Sequence, residues 1–181
     1  MTKIMIISGL ARSGKDTLAD KIVDIAKSKN LTATKVAFAK PIKDVACILF
    51  NMTHEELEKH KEKPISWLNN ITPRKFLQGF GTEFVRESLD TDFWILKMQQ
   101  EIAKTNVDIF IIPDCRFENE LQIKKLYNDV VTVKVVRNIR EPISNTEHKS
   151  ELGLDDSLFD IVFENNGTLN DISTFAKRIV I

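Results

Sequence analysis

Cysteine is scarce in this sequence. Cys47 and Cys115 are the two such residues in 181, and they form no C-x-x-C. Neither a zinc site nor a disulfide framework is indicated, and two reduced thiols in a cytosolic protein are expected. An excess of either charge is also missing: Lys plus Arg and Asp plus Glu are both 26, a formal net charge of +0. General DNA or RNA binding needs surplus cations to neutralise phosphates, so no nucleic-acid partner is expected. A small phosphorylated ligand needs only a local cluster of Arg and Lys and stays open. Long apolar runs are absent too. No stretch approaches a membrane span. The N-terminal MTKIMIISG has one lysine and a very short apolar run, without the longer apolar segment or small-residue cleavage site of a signal peptide. A soluble, cytoplasmic protein with no membrane partner is the expectation. No internal repeat and no low-complexity linker is visible.

What is present fits one globular domain over residues 1–181. Hydrophobic residues are 43% and charged residues 29%, and a chain this long buries a sizeable core. KIMIIS reads as a buried strand ending at Gly9, and KDTLADKIVDIAKSK as a helix with Leu18, Ile22, Ile25 and Ala26 on one face. ATKVAFA reads as a second strand, then PIKDVACILF as a helix with Pro41 in its first turn. TPRKFLQGFGTEFVRESL starts as a helix capped by Thr72, with Pro73 first, and is expected to loosen or break at Gly79 and Gly81. TDFWILKMQQEIAK follows as a helix capped by Thr91. VDIFIIPD is a strand ending at Pro113-Asp114, ENELQIKKLY a helix, VVTVKVV and DIVFEN strands. The last helix is capped by Thr168, with Asp171 in a capping-box position.

Strands alternating with helices predict a mostly parallel α/β sheet covered on both faces, a three-layer fold. Two segments leave that rhythm. Residues 53–105 hold two or three helices between successive strands, and residues 137–157 are polar. Both read as excursions from the ligand-binding edge of the sheet, the second as a short lid.

In SGLARSGKDT, Gly9-x4-Gly14-Lys15 has the spacing of a phosphate-binding loop, with the required strand before it and helix after it. Backbone N–H groups of such a loop, Arg12 and Ser13 among its residues, cradle phosphate oxygens, and the helix N-terminus adds its dipole. Lys15 reaches the β- and γ-phosphates, so a nucleotide is the expected ligand. Asp16 stands where Ser or Thr is usual, and the threonine, Thr17, arrives one residue late. Gly-Lys-x-Thr resembles the loop of adenylate-kinase-like nucleoside monophosphate kinases, in which that threonine approaches the phosphates. Two readings of Asp16 compete. A carboxylate in a helix's first turn offsets the dipole by about 0.3–1 kcal/mol. Beside anionic phosphates it is better explained by a facing cation, Mg²⁺ held through water or an arginine.

Arg74, Gln78, Thr82 and Arg86 recur every four residues, with Lys75 and Gly81 among them. On an unbroken helix they share a side. A solvated polar face is the plain reading; Gly79 and Gly81 instead suggest the close approach of a ligand or another backbone. Trp94 is by default a core residue and alternatively a flat surface for a base. Asp114 sits at the carboxyl edge of a buried strand, where ligands bind in open parallel sheets, and Arg116 could grip a phosphate bidentately. Glu120, four residues on, is first read as an i,i+4 ion-pair partner of Arg116. The polar excursion adds Arg137, Arg140, His148 and Lys149; arginines there suit a lid over a transferring phosphate, and a solvated loop fits equally.

Five segments together resemble the deoxynucleoside monophosphate kinases of tailed bacteriophages: SGLARSGKDT, TPRKFLQGFGTEFVRESLDTDFW, IIPDCRFENE, NTEHKSELGL and NNGTLNDI. They occur in the family's order and span nearly the whole chain. The resemblance implies a P-loop kinase fold and transfer of the γ-phosphoryl of ATP to a deoxynucleoside 5′-monophosphate, with Mg²⁺, in a host cytoplasm. It assigns Ser13, Asp16 and Thr17 to the nucleotide-phosphate site; Arg74, Lys75, Gln78, Gly81, Thr82 and Trp94 to the acceptor region; and Asp114, Arg116 and Glu120 to its completion. Lys15, Asp16, Arg116 and Arg137 are the expected catalytic set, and Thr17 with Asp16 the expected metal ligands. Alternatives are a kinase for another small phosphorylated acceptor, phosphomevalonate-like or dephospho-coenzyme A-like, and a nucleotide-binding regulator that does not turn over. Some relatives have a longer segment before the Arg74 block, so base selectivity does not transfer. A homodimer is left open.

Overall fold

The computed structural model describes residues 2–138 and 148–180. The chain divides into two compact units, one of Met1–Ala37 with Ile95–Ile181 and one of Phe38–Trp94. The second overlaps the expected excursion at 53–105 and begins earlier.

The first unit is built on five parallel strands. These are β1 (Lys3–Ser8), β2 (Ala33–Lys35), β3 (Ile109–Cys115), β4 (Val130–Val136) and β5 (Ile161–Glu164), in the order β2-β3-β1-β4-β5. Helix α1 (Lys15–Ser28) follows β1 directly, and α7 (Leu169–Ile179) follows β5. Strand parity distributes the core. Met5, Ile7, Ile109, Ile111, Val133 and Val135 share one face and pack against Leu18, Ile22 and Ala26 of α1 and Ile172 and Ala176 of α7. Side chains of the other parity, Ile4, Ile6, Phe110 and Ile112, are equally buried, so the sheet is covered on both faces, as near-continuous apolar strands require. Ile95, Met98 and Ile102 of α5 (Phe93–Lys104) and Ile123 of α6 (Ile123–Leu126) supply further buried apolar surface, and α6 packs on β4. Among the described residues no helix is long and apolar enough to cross a membrane.

This order puts β1 at the centre, with a connection leaving toward β2 on one side while the later strands build outward on the other. The crevice at the carboxyl end of such a central strand is where open α/β sheets bind ligands. Strand β3 runs through Pro113 to Cys115, beyond the expected end at Asp114. Its pairing with β1 shifts register between Ile6 and Ser8, which accommodates a proline that lacks a ladder donor. The Ser8 hydroxyl then donates to the Cys115 carbonyl at 2.8 Å.

The second unit holds α2 (Lys40–Phe50), α3 (His54–Lys59), α4 (Pro73–Gln78) and a π-helical segment, Gly79–Leu89. Its core is Ala46, Phe50, Leu57 and Ile65, with Leu68, Phe76 and Leu77 packed around it. Thr72 caps α4, its hydroxyl accepting from the Lys75 N–H at 3.2 Å, with Pro73 first in the helix. The expected loosening at Gly79 and Gly81 takes a definite form: the helix does not stop but widens, and Asp90 N–H closes it on the Val85 carbonyl, five residues back.

Other elements differ from expectation. The second strand has three residues, because the chain leaves the sheet after Lys35. Residues 118–127 give a 3₁₀ turn, Glu118–Gln122, before the single turn of α6. Just before α5 the Asp90 carboxylate accepts the Asp92 N–H at 2.8 Å. Thr168 and Asp171 form the expected capping box.

Candidate active site

The loop between β1 and α1 is shaped by its backbone. Arg12, exposed, has φ 62, a left-handed conformation that costs a non-glycine residue roughly 1–2 kcal/mol. Gly14, φ 97, is the first residue to turn into α1. Ser13 is 1% exposed, and its Oγ has no hydrogen-bond partner among the described residues. A buried hydroxyl left this way costs about 1–3 kcal/mol unless a ligand or water answers it.

Lys15 is buried at the start of α1, and its Nζ makes a long hydrogen bond, 3.5 Å, to the Leu10 carbonyl. Burial is the largest influence on it and pulls its pKa below the ordinary lysine value; Asp16 opposes this, Arg116 reinforces it, and Glu151 and Asp114 oppose it. Four charged groups from three segments thus surround one ammonium. Asp16 Oδ2 lies 4.0 Å from Nζ, with the carboxylate side chain 78% exposed. Thr17, half-buried, follows it on the first turn. Among the described residues no group of three His, Cys, Asp or Glu side chains forms a metal cluster.

Asp114 is the half-buried residue of β3's carboxyl end. Arg116 follows, its guanidinium held by residues that the sequence did not single out: Nη1 donates to the Glu151 carboxylate at 2.7 Å and to the Ser150 carbonyl at 2.8 Å. Glu120 does something other than the expected i,i+4 pairing. It is buried, and its Oε2 accepts the backbone N–H groups of Arg116 at 2.7 Å and Phe117 at 3.1 Å. It fixes the turn that aims Arg116. His148 Nδ1 accepts from Ser150 N–H at 3.2 Å and so caps the turn carrying Glu151. Arg137 follows β4 and is exposed, and Arg140 lies outside the described residues.

A second group of expected residues lies in Phe38–Trp94. The polar stripe there is not a solvated face. Thr82 and Arg86 are buried, Arg86 to 6% exposure, with its Nη1 donating to the Thr91 carbonyl at 3.2 Å. Gln78 Nε2 is buried without a partner among the described residues. Arg74 pairs with Glu62, and its N–H donates to the Lys61 carbonyl at 3.0 Å; Lys75 is exposed. Trp94 is 5% exposed, and its indole N–H donates to the Gly81 carbonyl at 2.9 Å. Its ring offers no open face here; it anchors the π-helix. A side chain at Gly81 would begin 2.8 Å from Ile42 Cδ1, so it would need that methyl to shift.

Sequence reasoning also missed Asn165 at the end of β5. Its Nδ2 donates to the Ser13 carbonyl at 2.7 Å, across 152 residues of chain. The NNG turn was visible, but a contact at that separation has no local signal.

The deoxynucleotide monophosphate kinase family model matches residues 3–66 and 51–175. The chain belongs to that family. It is 26% identical to the deoxynucleoside-5′-monophosphate kinase of Escherichia phage T5, over 85% of this chain and 86% of that protein. It is 24% identical to the deoxynucleotide monophosphate kinase of Enterobacteria phage T4, over 97% and 98%. Among solved structures, APE1195 aligns over 99% of this chain and 94% of its own, at 10% identity and a TM-score of 0.52, a likeness of fold alone. As a deoxynucleotide monophosphate kinase the chain is an enzyme, a phosphotransferase, and its three-layer α/β fold is that of a P-loop kinase.

Proposed function

We propose that this kinase moves the γ-phosphoryl of ATP to a deoxynucleoside 5′-monophosphate, yielding ADP and the diphosphate. The observation that carries the donor half is the buried, weakly engaged Lys15 ammonium in a loop whose Ser13 hydroxyl has no partner among the described residues. A polyphosphate answers both. It brings negative charge to a desolvated cation and an acceptor to an orphaned donor. Gly9, Arg12, Ser13 and Gly14 form the cradle, and Lys15 meets the β- and γ-phosphates.

The residues present also suit Mg²⁺, which keeps most of its waters and needs few protein ligands. Thr17 would hold it, with Asp16 and Asp114 through water; when bound it supplies charge neutralisation on the phosphates. This gives Asp16 the cation that its position beside a phosphate loop requires.

On the acceptor side we assign Arg74, Lys75, Gln78 and Thr82 to the monophosphate, with Gly81 allowing close approach and Trp94 acting through Gly81. Arg116, aimed by Glu120, and Arg137 neutralise the acceptor and the migrating group. A phosphate oxygen of the acceptor bonds to the γ-phosphorus as the bond from that phosphorus to the β,γ-bridging oxygen breaks. ADP leaves with the electron pair. The nucleophile is already an anion, so no general base is required, and positioning with charge neutralisation supplies the catalysis.

The test is ADP release from Mg·ATP with dAMP, dGMP, dCMP, dTMP, AMP and phosphomevalonate offered in turn. Turnover with deoxynucleotides is expected. Turnover with phosphomevalonate alone, or ATP binding without turnover on any acceptor, would overturn the assignment.

A further inference from the structure

We infer that Asn165 is a positioning residue for the donor nucleotide, setting the phosphate loop in its anion-binding conformation. Its own place is fixed by the sheet: at the end of β5 its backbone N–H donates to the Val136 carbonyl at 2.7 Å. The residue is 3% exposed, and its Nδ2 donates to the Ser13 carbonyl at 2.7 Å. In a trans peptide the C=O of one residue and the N–H of the next point in opposite directions. Holding the Ser13 carbonyl toward Asn165 therefore turns the Gly14 N–H away from it, to the side on which the loop receives phosphate. The approach is made possible by Gly14: a Cβ there would lie 2.2 Å from Asn165 Nδ2. Gly14 thus serves two ends, a left-handed φ and room for this amide.

A loop peptide free to rotate would present its carbonyl to an anion in some fraction of molecules. The amide removes that alternative before ATP arrives, which lowers the ordering that binding must supply. The proposal rests on the donor-site reading above, and it separates Asn165 from a residue that merely satisfies a buried carbonyl. A structural role would alter stability and both substrates alike. A positioning role falls on the donor.

The experiment compares the full chain with Asn165→Asp, which keeps shape but sets an oxygen against the Ser13 carbonyl, and Asn165→Ser, which keeps a shorter donor. Mg·ATP affinity is measured by calorimetry, and KM for each substrate by steady-state kinetics. Asn165→Asp is expected to weaken Mg·ATP binding at least about tenfold, roughly 1.4 kcal/mol, and to raise the ATP KM to match, with the acceptor KM within about twofold of wild type. Asn165→Ser falls between. ATP affinity unchanged in Asn165→Asp, or both KM values shifting together with the melting temperature, would overturn the inference. Should Asn165→Asp fail to fold, Asn165→Ser decides on the same split. Absence of ATP binding by the unaltered protein would instead sink the donor-site reading itself.

Discussion

Lys15 carries opposed demands. It must be charged to meet phosphates, yet burial lowers its pKa, and the carboxylates of Asp16, Glu151 and Asp114 recover part of the loss. A bound triphosphate adds negative charge and raises the pKa again. ATP binding should therefore take up protons as pH rises toward and past the free-state pKa of Lys15, and affinity should fall there. Calorimetry in buffers of different ionisation enthalpy would read that uptake; binding with no proton exchange across the alkaline range would contradict it. Lys15→Met should remove the uptake and lower turnover by orders of magnitude. Asp16 gives a sharper contrast. Its carboxylate is largely exposed, so its dipole contribution stays near 0.3–1 kcal/mol. Asp16→Asn is expected to reduce kcat at least about tenfold while the melting temperature moves by no more than a few degrees. An equal loss of both would return Asp16 to the role of a helix-end charge.

Between elements, Asp160 is the clasp that joins α6, β4 and β5. Its carboxylate accepts from Thr132 N–H and Oγ, each at 2.8 Å, and from Lys124 Nζ at 2.6 Å. Burial alone would raise its pKa, but the bonds from Lys124 and Thr132 outweigh that and leave it below the ordinary aspartate value. A depressed carboxylate pKa adds stability that is present above the unfolded-state pKa and lost as pH falls through the folded one. Asp160→Asn should thus lower stability modestly near neutrality, because its carboxylate is 42% exposed and screened by solvent, with the gap to wild type closing in acid. Denaturant midpoints at pH 7 and below pH 4 would show it; a gap that stays constant with pH would point to packing instead. The π-helix makes a related point: the Trp94 indole is fastened to the Gly81 carbonyl, and a side chain at Gly81 would begin 2.8 Å from Ile42 Cδ1.

For the molecule as a whole, the two units differ in what holds them. The sheet unit buries a continuous apolar layer from β1, β3, β4, α1 and α7. Among the described residues the unit of Phe38–Trp94 has a smaller buried cluster, Ala46, Phe50, Leu57 and Ile65, with Phe38, Val85 and Trp94 also buried, and leaves Ile48, Leu49, Trp67 and Phe84 exposed. Local opening free energy follows buried apolar contact. Amides of α2, α3 and α4 should exchange with deuterium well before those of β1 and β3 in the protein without nucleotide. Uniform exchange across both units would show that they open together.

The division between sequence and tertiary structure follows from how far apart the determining residues are. Strand β1, the phosphate loop and α1 were legible because apolar run, glycine spacing and helical period lie within thirty residues, and Thr72, Pro73 and Thr168 announced their helices by local capping chemistry. The parallel sheet followed from the alternation of elements. Glu120 was read as a partner for the Arg116 side chain when it binds its backbone, since i,i+4 spacing cannot say which atoms meet across a 3₁₀ turn. The polar stripe from Arg74 to Arg86 left a solvated face and a closely approached one both open, because residue type alone does not reveal what packs over a helix. Glu151 and Asn165 reach Arg116 and Ser13 across 35 and 152 residues, and no local pattern records such a pairing. The sequence by itself determined the loop that can hold phosphate. Only the assembly of the sheet, which sets the residue after β5 within reach of the loop that follows β1, decided which side chains hold that loop in place.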